Sequence, residues 1–432
     1  MGGGIAPTMS AYPSFTAAKP FRRWMPSEGI SVLTVAVLLP GLVWQVAYRQ
    51  TAVPLTNVNS LFGAVVAVIG AVWLSRNFAR YPGIRGGSHV LGAVFASFAV
   101  VASGFLFFRI NYSTAIFFSS FGLATGWLVL LNMLQERQRV VRIGLVPSGQ
   151  ITRLHAIPGV EWSILSGEKP DLPLTAVGAD LHSDMPAHWE RQLADYALEG
   201  IPVYHYKQLI ESLTGRVEVD HLAENSFGSL LPSTGYLKLK ILLDRVLAAA
   251  GLIALSPLLV VLVVLVRLDS AGPAIFRQER IGFRGRTFVV YKFRTMRSAS
   301  TEEKGALQSS MTQHADDRIT KLGRVLRRSR LDELPQMINI LRGEMSWIGP
   351  RPEAAVLSRW YEEQIPFYRY RHIVPPGITG WAQVNQGHVT SVEDVQRKLN
   401  FDFYYVKHFS LWLDIVISFR TALTMLNGRG AI

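Results

Sequence analysis

The sequence lacks cysteine altogether and carries little charge for its length. None of the 432 residues is Cys, and only 17% are Asp, Glu, Lys or Arg, below the ~25% of an average soluble domain. The absence of cysteine excludes disulfides, thiolate nucleophiles and thiolate metal ligands. The low charge, together with 49% hydrophobic residues, excludes intrinsic disorder and indicates a membrane protein.

The net charge of +13 is unevenly distributed. Residues 1–140 have 10 basic and 2 acidic residues (+8), residues 141–235 have 6 and 12 (−6), and residues 236–432 have 28 and 17 (+11). Two basic segments flank an acidic one, which is unlike a nucleic-acid-binding protein with one basic face. We therefore expect no nucleic acid as a partner. Basic segments beside long apolar runs are typical of a surface that meets anionic membrane lipid.

Four apolar runs predict a four-helix transmembrane bundle in residues 1–140. Each run lacks Asp, Glu, Lys and Arg and approaches the ~20 residues that a span needs. The runs are residues 31–48, 59–75, 88–108 and 112–134. Basic residues cluster before the first run, between the second and third, and after the fourth. The positive-inside rule therefore places both ends of the bundle in the cytoplasm.

Residues 141–224 are predicted to form a small cytoplasmic α/β domain with Rossmann-like alternation. We expect strands at residues 141–146, 175–179, 201–204 and 217–219, and helices at 187–199 and 207–213. The turn after the first strand lacks GxGxxG and contains Pro147, which disfavours a nucleotide site. A regulatory or dimerising module is the preferred interpretation, so a homodimer belongs among the expected partners. Residues 225–235 contain Ser, Pro and Gly and are predicted to form a linker.

Residues 246–266 form a fifth apolar run, interrupted near its middle by Ser256 and Pro257, within a helical segment predicted over about residues 241–266. Proline removes a backbone donor and kinks a helix, and a neighbouring serine hydroxyl can take up the bonding that the kink frees. Basic residues flank both ends of the run. A re-entrant helix that enters and leaves on the cytoplasmic face satisfies both observations. The alternative, an ordinary kinked span, would place the basic remainder outside the cell.

The acidic pair Asp332 and Glu333 is the strongest candidate for chemistry in residues 236–432. Pro335 suits the first turn of a helix, so both carboxylates are predicted at a helix start, where the dipole favours anions and phosphate oxygens. Adjacent carboxylates can divide labour, one attacking phosphorus while the other holds a divalent cation. Arg327 belongs to an arginine cluster that can bind a diphosphate. For this segment alone, a capping Asp with solvated charge is an equal alternative.

Basic motifs surround the acidic pair in the sequence. Lys292 and Arg294 lie in a stretch where basic and apolar residues alternate, as in a half-buried strand with one cationic face. Residues 349–352 (Gly-Pro-Arg-Pro) form a rigid turn that presents the guanidinium of Arg351. No stretch matches a Walker loop, a zinc site or a Ser/His/Asp triad. The ten histidines are scattered, and we interpret them as structural or solvated.

In this order, the motifs resemble those of the bacterial sugar transferase family, the polyprenyl-phosphate sugar-1-phosphate transferases, over about residues 238–426. The matching stretches are the run broken at Ser256 and Pro257, then residues 267–273, 291–296, 331–336, 349–352 and 376–381. Four spans, an α/β insert and a mainly helical monotopic catalytic segment are similar to the plan of the family's large members.

The resemblance implies a specific reaction. Members transfer a sugar 1-phosphate from a UDP-sugar to undecaprenyl phosphate on the cytoplasmic face of the bacterial inner membrane, which initiates exopolysaccharide, capsule or O-antigen assembly. Asp332 matches the nucleophile, which would form an aspartyl-phosphosugar and release UMP. Glu333 matches the carboxylate associated with Mg²⁺. The basic residues expected at the substrate phosphates are Lys292, Arg294, Arg327 and Arg351.

The sequence departs from the family pattern at two places. Arg330 stands where many members have a small polar residue, which adds charge beside the nucleophile. Residues 385–388 (Asn-Gln-Gly-His) replace the usual Asn/Ser-Gly-Arg, so no sugar specificity is inferred from that loop.

Two further segments, residues 360–370 and 409–426, have the composition of amphipathic helices that lie in the membrane interface. Either could instead pack in a core. The competing function for the whole chain is a catalytically inactive membrane scaffold of a polysaccharide assembly complex.

Overall fold

The structure is a computed structural model that describes residues 26–47, 54–78, 88–138, 141–151, 154, 157–167, 173–219, 232–297, 318–386 and 392–426. The chain forms two compact units, Met1–Gly215 and Arg216–Ile432. Most of the predicted linker, residues 225–231, lies outside the described residues. The first unit contains the apolar bundle and the α/β domain, and the second contains the acidic pair.

Among its described residues, the first unit has four helical segments long and apolar enough to cross a membrane, as predicted. They are α1 (Pro26–Leu33) continued by a π-helical turn (Thr34–Leu38) and α2 (Leu39–Ala47), then α3 (Leu55–Phe78), α4 (Ser88–Phe107) and α5 (Thr114–Gln138). The π-helical turn ends just before Pro40, whose missing N–H cannot bond to the carbonyl of Ala36. The basic stretch between the second and third segments, residues 79–87, lies outside the described residues.

The α/β domain contains a four-stranded parallel sheet in the order β2-β1-β3-β4. Its elements are β1 (Arg142–Leu145), β2 (Glu161–Ile164), β3 (Ala176–Ala179), α6 (Ala187–Leu198), β4 (Val203–His205) and α7 (Tyr206–Thr214). Strand β2 was not predicted, because it is a short edge strand without buried alternation. The predicted strand at residues 217–219 is wrong, since the Val217 amide donates to the carbonyl of Asn400 and not to a strand of the sheet.

The second unit begins with two apolar helices, α8 (Thr234–Ala254) and α9 (Ser256–Asp269), which meet at a bend of 67°. The bend falls at the Ser256–Pro257 break. The Ser256 hydroxyl donates to the carbonyl of Ile253 at 2.8 Å. Pro257 lies in the first turn of α9, where the missing N–H would have no intrahelical partner anyway.

The rest of the second unit is mainly helical, with two small two-stranded sheets. Its elements are β5 (Ile275–Ile281), β6 (Thr287–Phe293), α10 (Lys321–Arg328), a 3₁₀ helix (Leu331–Gln336), α11 (Met337–Arg342), β7 (Ser346–Ile348), α12 (Ala355–Gln364), a second 3₁₀ helix (Tyr368–Ile373), β8 (Gly377–Thr379), α13 (Trp381–Asn385), α14 (Val392–Lys407) and α15 (Leu411–Leu426). Strands β5 and β6 form an antiparallel hairpin, and β7 and β8 pair in parallel.

The prediction of one helix over residues 360–370 is wrong. Helix α12 ends at Gln364, and Ile365 is extended (φ −120°, ψ 117°) because the residue before a proline, here Pro366, avoids the α region. The segment predicted at 409–426 corresponds to α15, whose Asp414 and Arg420 are buried in the protein.

A buried ion pair joins α8 to α15. Lys240 Nζ lies 2.6 Å from Asp414 Oδ2, with side-chain exposures of 4% and 7%. The Asp414 carboxylate also accepts hydrogen bonds from the hydroxyls of Tyr236 (2.5 Å) and Tyr405 (2.8 Å). Because each charge is compensated, the pair fixes α8 to α15 within the second unit without leaving a buried charge unpaired.

We predict that Asp414→Ala destabilises the protein by about 3 kcal/mol, because it removes the nearest partner of the buried Lys240 ammonium and leaves only the carboxylate of Asp244 at 3.8 Å. The measurement is the thermal unfolding midpoint of the purified protein in detergent. Arg369→Ala is the control, since Arg369 is 78% exposed and pairs with Glu362 at 3.7 Å, a contact worth less than about 1 kcal/mol. Equal midpoints for the two variants would contradict the proposed role of the buried pair.

Candidate active site

Asp332 and Glu333 lie in the first turn of the 3₁₀ helix Leu331–Gln336, which runs directly into α11. Both carboxylates therefore lie at a helix start, as predicted, although Pro335 lies near the end of this 3₁₀ helix and not in its first turn. Arg330, the residue before this helix, has left-handed backbone angles (φ 59°, ψ 14°). A non-glycine residue pays a conformational cost there, and such strain concentrates at functional sites.

Glu333 is bound by three cations. Its Oε1 lies 2.8 Å from Arg351 Nη2, 3.1 Å from Lys292 Nζ and 3.7 Å from Arg330 Nη1. Burial alone would raise the pKa of Glu333, but the charges of Arg351, Lys292 and Arg330 outweigh burial and hold that pKa well below its usual range. Glu333 is therefore ionised, and its Oε1 is shared by these three cations.

Asp332 has the opposite surroundings. It is 8% exposed, and its Oδ1 is buried with no hydrogen-bond partner among the described residues. Burial and the charge of Glu333 raise the pKa of Asp332, against the opposing charges of Lys292 and Arg351. Burial and Glu333 therefore act on this carboxylate against the favourable effect of the helix start. One of its oxygens is nevertheless uncommitted, which a nucleophile requires.

Strand β6 positions Lys292. Phe288, Val290 and Lys292 project from the same face of the strand, since every second residue does. The two apolar side chains pack in a core that includes Met337 of α11, and Lys292 continues the row towards Glu333. Burial, with the nearby arginine charge, lowers the pKa of Lys292 to about 8.

Arg351 lies on a platform formed by two proline–glycine motifs that are distant in the sequence. The amide of Gly349 donates to the carbonyl of Thr379 at 2.8 Å, and the amide of Gly377 donates to that of Pro350 at 3.0 Å. A Cβ on Gly349 or Gly377 would collide with the backbone of the opposite motif. Glycine is needed at both positions so that the two backbones can approach and fix Arg351.

Arg371 and Asp402 hold the backbone of Arg351, and neither was predicted from the sequence. Arg371 Nη2 donates to the carbonyl of Arg351 at 2.8 Å and lies 2.8 Å from Asp402 Oδ2, with both side chains 2% exposed. A second ion pair lies close to these residues in the sequence. Lys398, one turn before Asp402 on α14, lies 2.5 Å from Glu353, two residues after Arg351. An isolated Asp within the aromatic stretch of α14 is the feature that could have revealed this network.

Arg327 also lies at the acidic pair. Its Nε donates to Thr295 Oγ1 at 2.9 Å, and its charge acts to lower the pKa of Asp332. Three of the four predicted phosphate-binding residues therefore influence the acidic pair directly. They are Lys292, Arg327 and Arg351.

Arg294, the fourth predicted phosphate-binding residue, has a different environment. It is 8% exposed, and its Nη2 donates to the carbonyls of Val266 (3.2 Å) and Ser270 (2.5 Å) at the C-terminal end of α9. A cation there satisfies carbonyls that the helix leaves unpaired. Among the contacts of the described residues, none joins Arg294 to Asp332 or Glu333.

The donor set of the acidic pair fits Mg²⁺ only together with substrate. Asp332 offers a buried oxygen without a hydrogen-bond partner, and Glu333 offers an ionised carboxylate. Mg²⁺ is commonly held by one or two carboxylates plus substrate phosphates. Within the described ranges, the one group of three His, Asp or Glu residues with close donor atoms lies elsewhere, in the first unit.

Comparison with known proteins gives the same assignment as the motifs. Residues 235–428 match the family described as bacterial sugar transferase. The chain is 43% identical to a UDP-N-acetylgalactosamine-undecaprenyl-phosphate N-acetylgalactosaminephosphotransferase of Aeromonas hydrophila over 379 residues, which cover 87% of this chain and 88% of that protein.

Two further relatives match over a shorter length. UDP-glucose:undecaprenyl-phosphate glucose-1-phosphate transferases of Xanthomonas campestris pv. campestris and Escherichia coli (strain K12) are each 44% identical, over 194 and 190 residues. Each match covers 44% of this chain and 40% of the relative. Because the Aeromonas relative matches nearly the whole of both chains and the family match includes the acidic pair, this chain belongs to the bacterial sugar transferase family and is a phosphoglycosyl transferase.

Proposed function

We propose that the protein transfers a sugar 1-phosphate from a UDP-sugar to undecaprenyl phosphate and releases UMP. The names of the relatives support both substrates. The observation that carries the mechanism is the inequality of the acidic pair. Glu333 is bound by three cations, whereas Asp332 keeps a buried oxygen without a hydrogen-bond partner among the described residues.

In the first step, a carboxylate oxygen of Asp332 attacks the phosphorus that carries the sugar. A bond forms between this oxygen and phosphorus, and the bond from phosphorus to the bridging oxygen of the diphosphate breaks. UMP leaves with that oxygen and its electron pair, and the sugar phosphate stays on Asp332. The cations of Lys292 and Arg351, already close to the acidic pair, stabilise negative charge on the phosphate oxygens.

In the second step, a phosphate oxygen of undecaprenyl phosphate attacks the same phosphorus. The bond to Asp332 breaks, the carboxylate is restored, and the product is undecaprenyl diphosphate linked to the sugar. One covalent intermediate thus divides the transfer into two displacements at one phosphorus. The product is the first lipid-linked unit of a polysaccharide such as an exopolysaccharide, a capsule or an O-antigen.

Glu333, together with Asp332 and the substrate phosphates, would hold Mg²⁺. When bound, the ion neutralises phosphate charge as a Lewis acid. Glu333 performs a second task without it, because its ionised carboxylate keeps the cations of Lys292 and Arg351 close to each other and to Asp332. The other two cations beside the acidic pair, Arg327 and Arg330, orient the diphosphate and exclude water from the site.

We also propose that the catalytic unit lies on the cytoplasmic face of the bacterial inner membrane and that α8 and α9 form a re-entrant hairpin in one leaflet. The 67° bend between them supports a return to the same side. Apolar side chains exposed on both helices would face lipid, among them Leu242, Leu247, Val260 and Val264. Anionic lipid would contact the basic residues beyond the helix ends.

Asp332→Asn is expected to reduce UMP release by roughly 1,000-fold or more, because an amide oxygen is a poor nucleophile. The assay uses purified protein, undecaprenyl phosphate and Mg²⁺, with UDP-N-acetylgalactosamine and UDP-glucose as separate donors since the relatives differ in this respect. Acid-quenched wild-type protein should carry a phosphosugar on the peptide that contains Asp332. Full turnover by Asp332→Asn would overturn the nucleophile assignment.

Glu333→Gln serves as the matched comparison in the same assay. We expect it to lose both activity and the response to Mg²⁺ concentration, because the amide neither binds the ion well nor pairs with the three cations. The exposed variant Arg369→Ala should keep wild-type activity. An unchanged Mg²⁺ response in Glu333→Gln would remove Glu333 from the proposed ion site and leave the nucleophile assignment untouched.

The depressed pKa of Lys292 predicts a basic limb in the pH profile. Lys292 is cationic below about pH 8 and loses its proton above it, so kcat/KM should fall as the pH rises through this value. Lys292→Arg keeps the charge at all working pH values and should shift this limb upward, at lower overall activity because the geometry differs. If Lys292→Arg keeps the same basic limb as the wild type, another group causes it.

The absence of native cysteine makes the topology directly testable. Single cysteines at Thr234→Cys and Ala271→Cys lie at exposed positions on either side of the bent helix pair. A re-entrant hairpin predicts that a membrane-impermeant maleimide labels both cysteines from the cytoplasmic side, in inside-out vesicles and not in intact spheroplasts. Labelling of the two positions from opposite sides would establish an ordinary kinked span.

A further inference from the structure

We infer that Asp180, His182 and His205 form a binding site for a divalent transition-metal ion, with Zn²⁺ as the best-fitting candidate. These residues belong to the α/β domain of the first unit, for which the proposed transfer reaction supplies no role. The three donor atoms lie within 4.8 Å of one another. The inference is independent of the mechanism proposed for Asp332.

The sheet topology brings the three residues together. Asp180 directly follows β3, and His205 is the last residue of β4. The two strands are parallel neighbours, with Ala179 in register with His205. Asp180, His182 and His205 therefore meet at the carboxyl edge of the sheet, where open α/β sheets commonly bind ligands.

The distances between donor atoms suit a small ion. His182 Nδ1 lies 3.0 Å from His205 Nε2, which lies 3.4 Å from Asp180 Oδ1. Zinc bonds of about 2.0–2.1 Å in tetrahedral geometry place neighbouring donors about 3.3 Å apart. Two imidazoles and one carboxylate are a zinc-type donor set, and three protein ligands leave a fourth position for water or another group.

The carboxylate of Asp180 is held in place by backbone amides. The His182 amide donates to Oδ1 at 3.3 Å, and the Gln150 amide donates to Oδ2 at 3.2 Å. Gly149, at φ +59°, packs where a side chain would collide with this carboxylate. Asp180 is buried, His205 is half-buried and His182 is exposed, so the site has a fixed base and an open side for entry of an ion.

The hydrogen bonds of His205 show which protonation state of its ring a metal ion would require. The Lys207 amide donates to Nδ1 of His205 at the start of α7, so a neutral His205 carries its proton on Nε2, between His182 and Asp180. For an ion to bind Nε2, the ring proton moves to Nδ1 and the hydrogen bond from Lys207 is given up. Binding of the ion therefore exchanges one helix-cap hydrogen bond for one metal–nitrogen bond.

The experiment uses the full-length protein, purified in detergent with a histidine-free tag, stripped with a chelator and titrated with Zn²⁺ alone against a chromophoric competitor. We expect one tightly bound zinc per chain. Asp180→Asn, His182→Ala and His205→Ala should each weaken binding at least tenfold. His188→Ala, an exposed histidine of α6, is the matched control and should bind like the wild type.

Replacement of zinc by Co²⁺ provides a second measurement. A site with two imidazoles and a carboxylate should give visible absorption bands of four- or five-coordinate Co²⁺, which His182→Ala removes. His182 is exposed, so this variant tests the site even if His205→Ala fails to fold. The inference is overturned if the wild type binds no zinc at micromolar concentration, or if His182→Ala binds zinc as tightly as His188→Ala.

Discussion

The carboxylate of Glu333 holds together the cationic cluster of the second unit. Its three cations come from different parts of the chain: Lys292 from β6, Arg351 from the platform of β7 and β8, and Arg330 from the residue that precedes the 3₁₀ helix. Without an ionised Glu333 these cations would repel one another in a buried place, where charges interact more strongly than in water. With it, they form a positive cluster that leaves the neighbouring Asp332 uncommitted.

This arrangement has a cost for stability. The pKa of Asp332 is raised in the folded protein, so the ionised carboxylate favours the unfolded chain at any pH above the ordinary pKa of aspartate. The left-handed Arg330 adds backbone strain beside it. Both costs are met by packing around the site, in particular the contacts of Arg371 and Asp402 that hold the backbone of Arg351.

The sequence was informative where chemistry is encoded locally. The apolar runs, the Ser256–Pro257 break and the acidic pair could be found from composition and short motifs. Contacts between residues distant in the sequence could not be found in this way. Three features were missed for this reason: the hydrogen bonds of Arg294 at the end of α9, the Arg371–Asp402 pair, and the cluster of Asp180, His182 and His205. The error at residues 360–370 differs, because Pro366 already indicated a helix end.

Hydrogen bonds between α8 and β7 link the bent helices to the turn that carries Arg351. Asp244 of α8 accepts a hydrogen bond from the Ser346 hydroxyl at 2.6 Å, and the Tyr405 hydroxyl lies 2.8 Å from Asp414 and 3.0 Å from the carbonyl of Ile348. Ile348 immediately precedes the turn that carries Arg351. In the proposed re-entrant arrangement, the depth at which the bent helices lie in lipid would set the height of Asp332 and Arg351 above the bilayer. Membrane thickness and headgroup packing would then influence the rate of the proposed reaction.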